Sequence, residues 1–137
     1  MNASLKYEAS YVLTQQRQQH IFQKWRCLRE LELPSTLERI QSYCFSGSNL
    51  RQITIAPGVR ELGEFAFMNC TQLECVTFAQ NSSLTTICEG AFFGSGIVDF
   101  VAPPSLKEIK AIAFFNCEKL QSVTLNKSLE VIEENCF

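Results

Sequence analysis

The residues of this chain that could carry out chemistry are seven cysteines and a single histidine, His20. A cysteine acts as a nucleophile when a neighbouring base removes its proton, and no histidine occurs after residue 20. The cysteines also lack the C-x-x-C spacing of a zinc site, and His20 has no second candidate ligand beside it. The sequence therefore predicts no catalytic residue, no metal site and no cofactor, and we expect that the protein is not an enzyme.

The apolar residues recur with a spacing that organises most of the chain. Five copies of one pattern begin at positions 28, 50, 73, 97 and 120, so successive copies are offset by 22, 23, 24 and 23 residues. A period of this size is typical of a solenoid, in which each repeat buries its apolar side against its neighbours. The clearest copy has its apolar positions at Leu50, Ile53, Ile55, Val59, Leu62, Ala66, Phe67 and Cys70.

Each repeat divides into three parts. The first, L-x-x-I-x-I, spaces its apolar residues as a short strand with one buried face does, and Pro34, Pro57 or Pro103 ends it in three copies. The second apolar pair, Val59 and Leu62 in the clearest copy, indicates a second extended segment. An Ala-Phe pair follows, which we expect to lie in a helical turn. Its phenylalanines are predicted to stack along the solenoid axis: Phe45, Phe67, Phe92, Phe114 and Phe137.

The full pattern, L-x-x-I-x-I-x-P-x-[VL]-x-x-I-x-x-x-A-F-x-x-C, resembles the leucine-rich repeats of the BspA-like family. It covers the chain from Leu28 to the end, with Cys44 and Cys136 in place of the alanine and Ser48 and Ser95 in place of the later cysteine. The resemblance implies a curved leucine-rich repeat solenoid, with a parallel sheet on one face and short helical turns. Such repeats are common in bacterial surface proteins and in large protozoan families. The resemblance also implies a role in adhesion or protein recognition, without catalytic residues.

Residues 1–27 do not follow the repeat, so we divide the chain into a leader at 1–27 and a leucine-rich repeat domain at 28–137, whose last copy is truncated. From about residue 14 the apolar residues, Phe22 and Trp25 among them, mark one face of a helix. We expect this helix, from about 14 to 26, to cover the first repeat, because the end of a solenoid is an open apolar surface. An amphipathic helix that binds in the groove of a partner is the alternative.

The repeat frame also places the cysteines. Cys70 and Cys117 occupy the same position two repeats apart, which is roughly 10 Å because neighbouring strands are about 4.8 Å apart. The Cα atoms of a disulfide lie within about 7 Å of each other, so this pair cannot bond, and no other pair is placed to do so. We therefore expect free thiols in a reducing compartment. Cys75 and Cys88 take outward positions and are expected to react first with a thiol probe.

Two sets of outward positions differ in character. Those of the second segment bring opposite charges side by side, which supports the register: Glu38 with Arg60, Arg39 with Glu61, and Lys107 with Glu130. Those of the first segment are mostly small and uncharged, and we select them as candidate partner-binding residues: Glu30, Glu32, Gln52, Thr54, Cys75, Thr77, Asp99, Val101, Ser122 and Thr124. The alternative is that threonines occur there only because they are good strand residues.

Composition narrows the classes of partner. The net charge of −2 gives no basic surface for nucleic acid, and no apolar run approaches the roughly 18 residues of a membrane span. The N-terminus lacks the basic head and apolar core of a signal peptide. Together with the unpaired cysteines this favours the cytoplasm, or the cell surface if the chain is a fragment of a longer protein.

The function expected from these features is a non-enzymatic scaffold for protein recognition, which binds a protein partner on the outward face of the repeat sheet; the family resemblance implies adhesion as its setting. The alternative is a structural spacer within a longer surface or multidomain protein, with no ligand of its own. An enzyme attached through a separate domain is a third class. We also expect self-association through residues 120–137, because the last repeat presents an open edge.

Overall fold

In residues 30–137, the part of the chain that the computed structural model describes, the repeats form two parallel β-sheets. The first segments form sheet A: β1 (Glu30–Glu32), β3 (Gln52–Ile55), β5 (Cys75–Phe78), β7 (Asp99–Val101) and β9 (Ser122–Thr124). The second segments form sheet B: β2 (Arg39–Ile40), β4 (Glu61–Leu62), β6 (Thr86–Ile87), β8 (Glu108–Ile109) and β10 (Val131–Ile132). The predicted solenoid is confirmed. The predicted helix at 14–26 lies outside the described residues.

Each strand pairs with the equivalent strand of the next repeat, as the pattern predicts. Leu31 lies beside Ile53 and Ile53 beside Val76 in sheet A, and Leu62 lies beside Ile87 in sheet B. Because each position is adjacent to its own copy, the apolar positions form continuous columns inside the solenoid. Burial of one such aliphatic side chain contributes about 1.5–3 kcal/mol, and these columns are the main source of the fold's stability.

The corner between the two sheets is a tight turn in each of three proline-containing repeats. The Leu37 N–H donates to the Pro34 carbonyl and the Leu106 N–H to the Pro103 carbonyl, both at 3.1 Å. Proline cannot donate to the sheet ladder and has a fixed φ. It therefore ends the strand of sheet A and directs the chain into sheet B, as the sequence predicts.

The Ala-Phe segment is a run of turns, interrupted by residues with left-handed backbone conformation. Phe65 has a φ of 52° and Asn69 a φ of 55°, on either side of Ala66 and Phe67. Bonds to the third residue back do occur, as in a helical turn: the Ala66 N–H donates to the Gly63 carbonyl at 3.2 Å. Alternate N–H groups instead donate hydrogen bonds to the next repeat. The N–H groups of Phe65, Phe67 and Asn69 donate to the carbonyls of residues 89, 91 and 93, at 2.9, 2.7 and 2.8 Å. The turn side is thus a third hydrogen-bonded side of the solenoid.

The phenylalanine spine forms as predicted. The centroid distance between successive rings is 5.2 Å from Phe45 to Phe67, from Phe67 to Phe92 and from Phe92 to Phe114, and 5.3 Å from Phe114 to Phe137. The interplanar angles are 10°, 9°, 18° and 9°, so the rings are stacked. The first three rings have no solvent exposure, whereas Phe137 is 50% exposed. The spine therefore links all five described repeats through one line of aromatic contacts.

The charges near sheet B follow the predicted register only in part. Arg39 Nη2 lies 2.8 Å from Glu61 Oε1, and the predicted contact of Lys107 with Glu130 is an ion pair at 3.0 Å. Glu38 and Arg60 are neighbours through a backbone hydrogen bond of 2.8 Å, but their side chains, both in the described region, form no ion pair. A bridge from Lys110 to two carboxylates, Glu108 at 3.1 Å and Glu133 at 3.2 Å, was not predicted. Exposed pairs of this kind contribute about 0–1 kcal/mol each.

Candidate interaction surface

The outward face of sheet A is a continuous exposed surface across the five strands. Every candidate binding residue whose side chain the structure describes is exposed there, and strand pairing sets them in two columns. One column contains Glu32, Thr54, Thr77, Val101 and Thr124, and the other contains Gln52, Cys75, Asp99 and Ser122. Glu30 continues the second column through the backbone pairing of β1 with β3.

Side chains within each column contact one another along the solenoid axis. The hydroxyl oxygens of Thr54 and Thr77 are 2.8 Å apart, and the Ser122 hydroxyl donates to Asp99 Oδ1 at 2.6 Å. Val101, in the same strand as Asp99 and paired with Thr124, is 60% exposed. The face therefore presents hydroxyls, two described carboxylates and one exposed apolar side chain on a hydrogen-bonded sheet.

A groove of about 600 Å³ lies at the β1–β3–β5 end of this face. Its lining includes Glu32, Thr54 and Thr77 of the strands and residues of the corner turns, such as Ser35 and Pro57. Among the described residues that line it, Glu32 is the only charged one. The contribution of the corner turns to this groove was not predicted. The prolines after β1 and β3 were a usable signal, because each marks where the chain turns away from the sheet.

Cys75 and Cys88, both predicted at outward positions, differ in the structure. Cys75 lies exposed in the groove. Cys88 is half-buried and donates its S–H to Glu61 Oε1 at 3.2 Å. Burial raises the pKa of the Cys88 thiol to about 12. The Glu61 carboxylate adds to this effect, because it accepts a hydrogen bond from the protonated thiol and would repel a thiolate. These contacts favour Cys75 over Cys88 as the thiol that reacts first, and the reactivity of both stays a prediction.

Thiols in and near the core form hydrogen bonds with neighbouring groups of the fold. Cys70 Sγ donates to the Phe45 carbonyl at 3.0 Å and lies 3.4 Å from Ser48 Oγ, and burial raises the pKa of the Cys70 thiol to about 11. The same contacts recur two repeats later among Cys117, Ser95 and the Phe92 carbonyl. The six cysteines within residues 30–137 form no disulfide bond.

Thiol labelling tests this assignment. In the native protein without reductant, we expect Cys75 to react with a maleimide faster than the other five described cysteines, because thiolates react and a raised pKa suppresses the thiolate. Peptide mapping after a short labelling pulse gives the order, and Cys75→Ser should remove the fast site. Labelling of Cys88 at the rate of Cys75 would contradict the contact with Glu61. After denaturation, all seven cysteines of the chain should be modified.

The described part of the chain offers neither a cluster of metal ligands nor a helix of membrane-spanning length. There, no group of three or more His, Cys, Asp or Glu side chains is placed to hold a metal ion. Residues 30–137 also contain no helix that is long and apolar enough to cross a membrane.

Short parallel strands stacked in two sheets with this period define a leucine-rich repeat solenoid. The chain belongs to the family described as the BspA type leucine rich repeat region, whose model matches residues 15–137 in six copies. That match begins before the first repeat assigned from the sequence at Leu28, and the boundary between leader and repeat domain stays a prediction. The repeat fold of this family is a non-enzymatic scaffold type.

Solved structures show the same fold. A leucine-rich repeat protein from T. pallidum is 27% identical with a TM-score of 0.73, over 79% of this chain and 53% of that protein. A leucine-rich repeat protein from Bacteroides ovatus is 25% identical with a TM-score of 0.50, over 80% of this chain and 32% of that one. The pneumococcal vaccine antigen PcpA is 20% identical with a TM-score of 0.56, over 77% and 31%. The chain thus spans about half of the first structure and about a third of the others. No curated protein matched the chain.

Proposed function

We propose that this chain is a protein-interaction scaffold that binds a segment of a protein partner along the outward face of sheet A. The observation that carries the proposal is the groove beside β1, β3 and β5, which adjoins an exposed face of hydrogen-bonding side chains. Extended stacked sheets are the surfaces that solenoid proteins use for recognition. Adhesion is the setting that the family resemblance implies, and binding of this kind would serve it.

The charges of this face indicate which partner chemistry it favours. Glu32 lies in the groove and Asp99 farther along the sheet, and neither column of described candidate residues contains a lysine or an arginine. Complementary charge directs encounter and disfavours wrong partners. A partner segment that carries lysine or arginine is therefore favoured over an acidic one.

A spacer module without a ligand is the second candidate, and one observation favours it. Thr54 and Thr77 contact each other, and Asp99 accepts a hydrogen bond from Ser122. Part of the hydrogen-bonding capacity of the face is thus used within the sheet. A spacer would require no more of these side chains than this internal pairing.

Binding to arrayed peptides separates the two candidates. The probe is an array of synthetic peptides in which lysine, arginine, glutamate or aspartate is placed at successive positions. We expect selection of basic peptides, and at least a tenfold loss of affinity on Glu32→Lys or Asp99→Lys. The matched control is Glu38→Lys, the same change at an exposed position beside sheet B. Equal binding by all three variants, or no selection of basic peptides, would refute the scaffold proposal and favour the spacer.

A further inference from the structure

Two points on the outward face of sheet A have features that suit a basic side chain. At β1, Glu32 lines the groove and supplies a carboxylate. At β7, Asp99 and Val101 point to the same side of the sheet, because they are two residues apart in one strand. Residues so placed are about 7 Å apart, and Val101 is 60% exposed. An acidic group thus lies beside an exposed apolar group at β7.

Lysine and arginine are the side chains that fit such a pair of groups. Their aliphatic stems pack on apolar surface while the charged end extends beyond it. A stem that lies on Val101 would direct its charge along the strand toward Asp99. A single exposed valine is ordinary on a protein surface. What marks Val101 is the carboxylate next to it and the position of both relative to Glu32.

The spacing of the strands sets the distance between the two points. Glu32 is adjacent to Thr54, and Thr54 to Thr77. The pairing of β5 with β7 then places Val101 next to Thr77. Neighbouring strands are about 4.8 Å apart, so the three steps from Glu32 to Val101 span about 14 Å along the solenoid axis.

Of the regular backbone conformations, the extended chain matches this distance best over a short segment. Its rise is about 3.3 Å per residue and its side chains alternate, so residues four apart lie on one face about 13 Å from each other. A polyproline helix repeats its faces every three residues, at about 9 and 19 Å. An α-helix needs roughly nine or ten residues to cover 14 Å.

We propose that the partner segment lies extended along the solenoid axis and carries two lysine or arginine residues four positions apart. One basic side chain enters the groove at Glu32, and the other packs on Val101 and reaches Asp99. The residue midway between them faces Thr54 and Thr77. Because the strands of sheet A already pair with one another, side chains carry this recognition. This proposal rests on the proposed function, and it adds the conformation of the partner and the spacing of its charges.

Peptides that contain two lysines test the spacing. All have the same composition, and the second lysine follows the first by two to ten positions. Isothermal titration calorimetry with the 137-residue chain gives the dissociation constants. We expect the tightest binding at a spacing of four. It should be about fivefold tighter than at three or five, where the two lysines of an extended segment point to opposite faces.

Asp99→Asn and Val101→Thr test the second point. Both are small changes at an exposed strand position, and threonine already occurs in the same column at Thr54 and Thr77. Each should reduce the advantage of the four-residue spacing from about fivefold to less than about twofold. The matched control is Glu64→Gln, which removes a carboxylate at an exposed position of the turn side and should preserve the advantage.

The possible outcomes separate this proposal from the proposed function. Equal affinity for basic peptides at every spacing would leave the scaffold in place and overturn the extended partner. A maximum at three or six would indicate a polyproline helix and one at nine or ten an α-helix, and either overturns it. So does an advantage that Glu64→Gln removes, or one that survives both Asp99→Asn and Val101→Thr. If no basic peptide binds, the proposed function fails and this proposal fails with it.

Discussion

Replacement of Phe67 by alanine should lower the free energy of unfolding by about 3–5 kcal/mol, the usual cost of removing an aromatic ring from a core. Phe67 has no solvent exposure and stacks on Phe45 and Phe92, each at a centroid distance of 5.2 Å. Alanine would leave a cavity in the middle of the spine and remove both ring contacts. Urea unfolding followed by circular dichroism measures the change.

Thr54→Ala is the matched control. Thr54 lies in the same repeat, but its side chain is exposed on sheet A and contacts only the Thr77 hydroxyl among the described residues. Its loss should cost less than about 1 kcal/mol, because an exposed hydrogen bond contributes little net stability. Equal destabilisation by the two variants would show that the assignment of inward and outward positions is wrong.

Gly63→Ala should also destabilise the protein, by about 1–3 kcal/mol, as overpacking of a well-packed site does. A β-carbon at Gly63 would lie 2.6 Å from the Ser42 nitrogen and 2.7 Å from both the Gln41 carbonyl carbon and the Ile40 oxygen. These are backbone atoms of the preceding repeat, so no side-chain rotation can make room. Two repeats would have to separate at the edge of sheet B. A thermal melt and a urea melt of the variant measure the effect.

Gly58→Ala serves as the comparison in the same repeat. There the β-carbon would lie 3.1 Å from the Leu37 oxygen and 3.3 Å from the Ser35 oxygen, a tight contact that small shifts can relieve. Alanine also restricts the unfolded chain, which stabilises a protein by about 0.4–1 kcal/mol. We therefore expect a net change within about 1 kcal/mol. If Gly63→Ala is as mild as Gly58→Ala, the repeats are less closely packed there than the structure indicates.

The fold could be predicted because each repeat has the same neighbours. Once Ile53 and Val76 are known to be equivalent, the stacking of repeats places them side by side, and the structure does so. The inward or outward direction of each strand residue follows from the period of two. The exposed positions of Thr54, Thr77 and Asp99 could therefore be predicted from the sequence.

Other features depend on contacts that differ from repeat to repeat and that no pattern reports. Cys88 occupies an outward position, but the Glu61 side chain reaches it from the preceding repeat. Ile112 has a φ of 51°, a conformation that is rare for a β-branched residue. Ile112 occupies the position in its repeat that Gly90 occupies in the preceding repeat, where glycine adopts this conformation without cost. The sequence predicts a turn there, but not which residue adopts the left-handed conformation.

The function was harder to predict than the fold, because a repeat pattern specifies the side chains that point into the core. The outward positions of sheet A are free to vary without loss of the core, and their exposure alone does not distinguish a binding face from a solvated one. The groove depends on how the corner turns at Ser35 and Pro57 rise beside the strands. That relation is a property of the assembled solenoid.

The hydrogen bonds that cross between repeats on all three sides run along the solenoid axis, and this has a mechanical consequence. A pulling force applied along the axis would load the bonds between successive repeats in series. The bonds from Phe65, Phe67 and Asn69 to the next repeat would then act together as one link of a chain. Such a chain yields at its weakest link, one repeat at a time. Under tension the protein should therefore lengthen in steps of 22 to 24 residues, as an extensible tether whose reach depends on load.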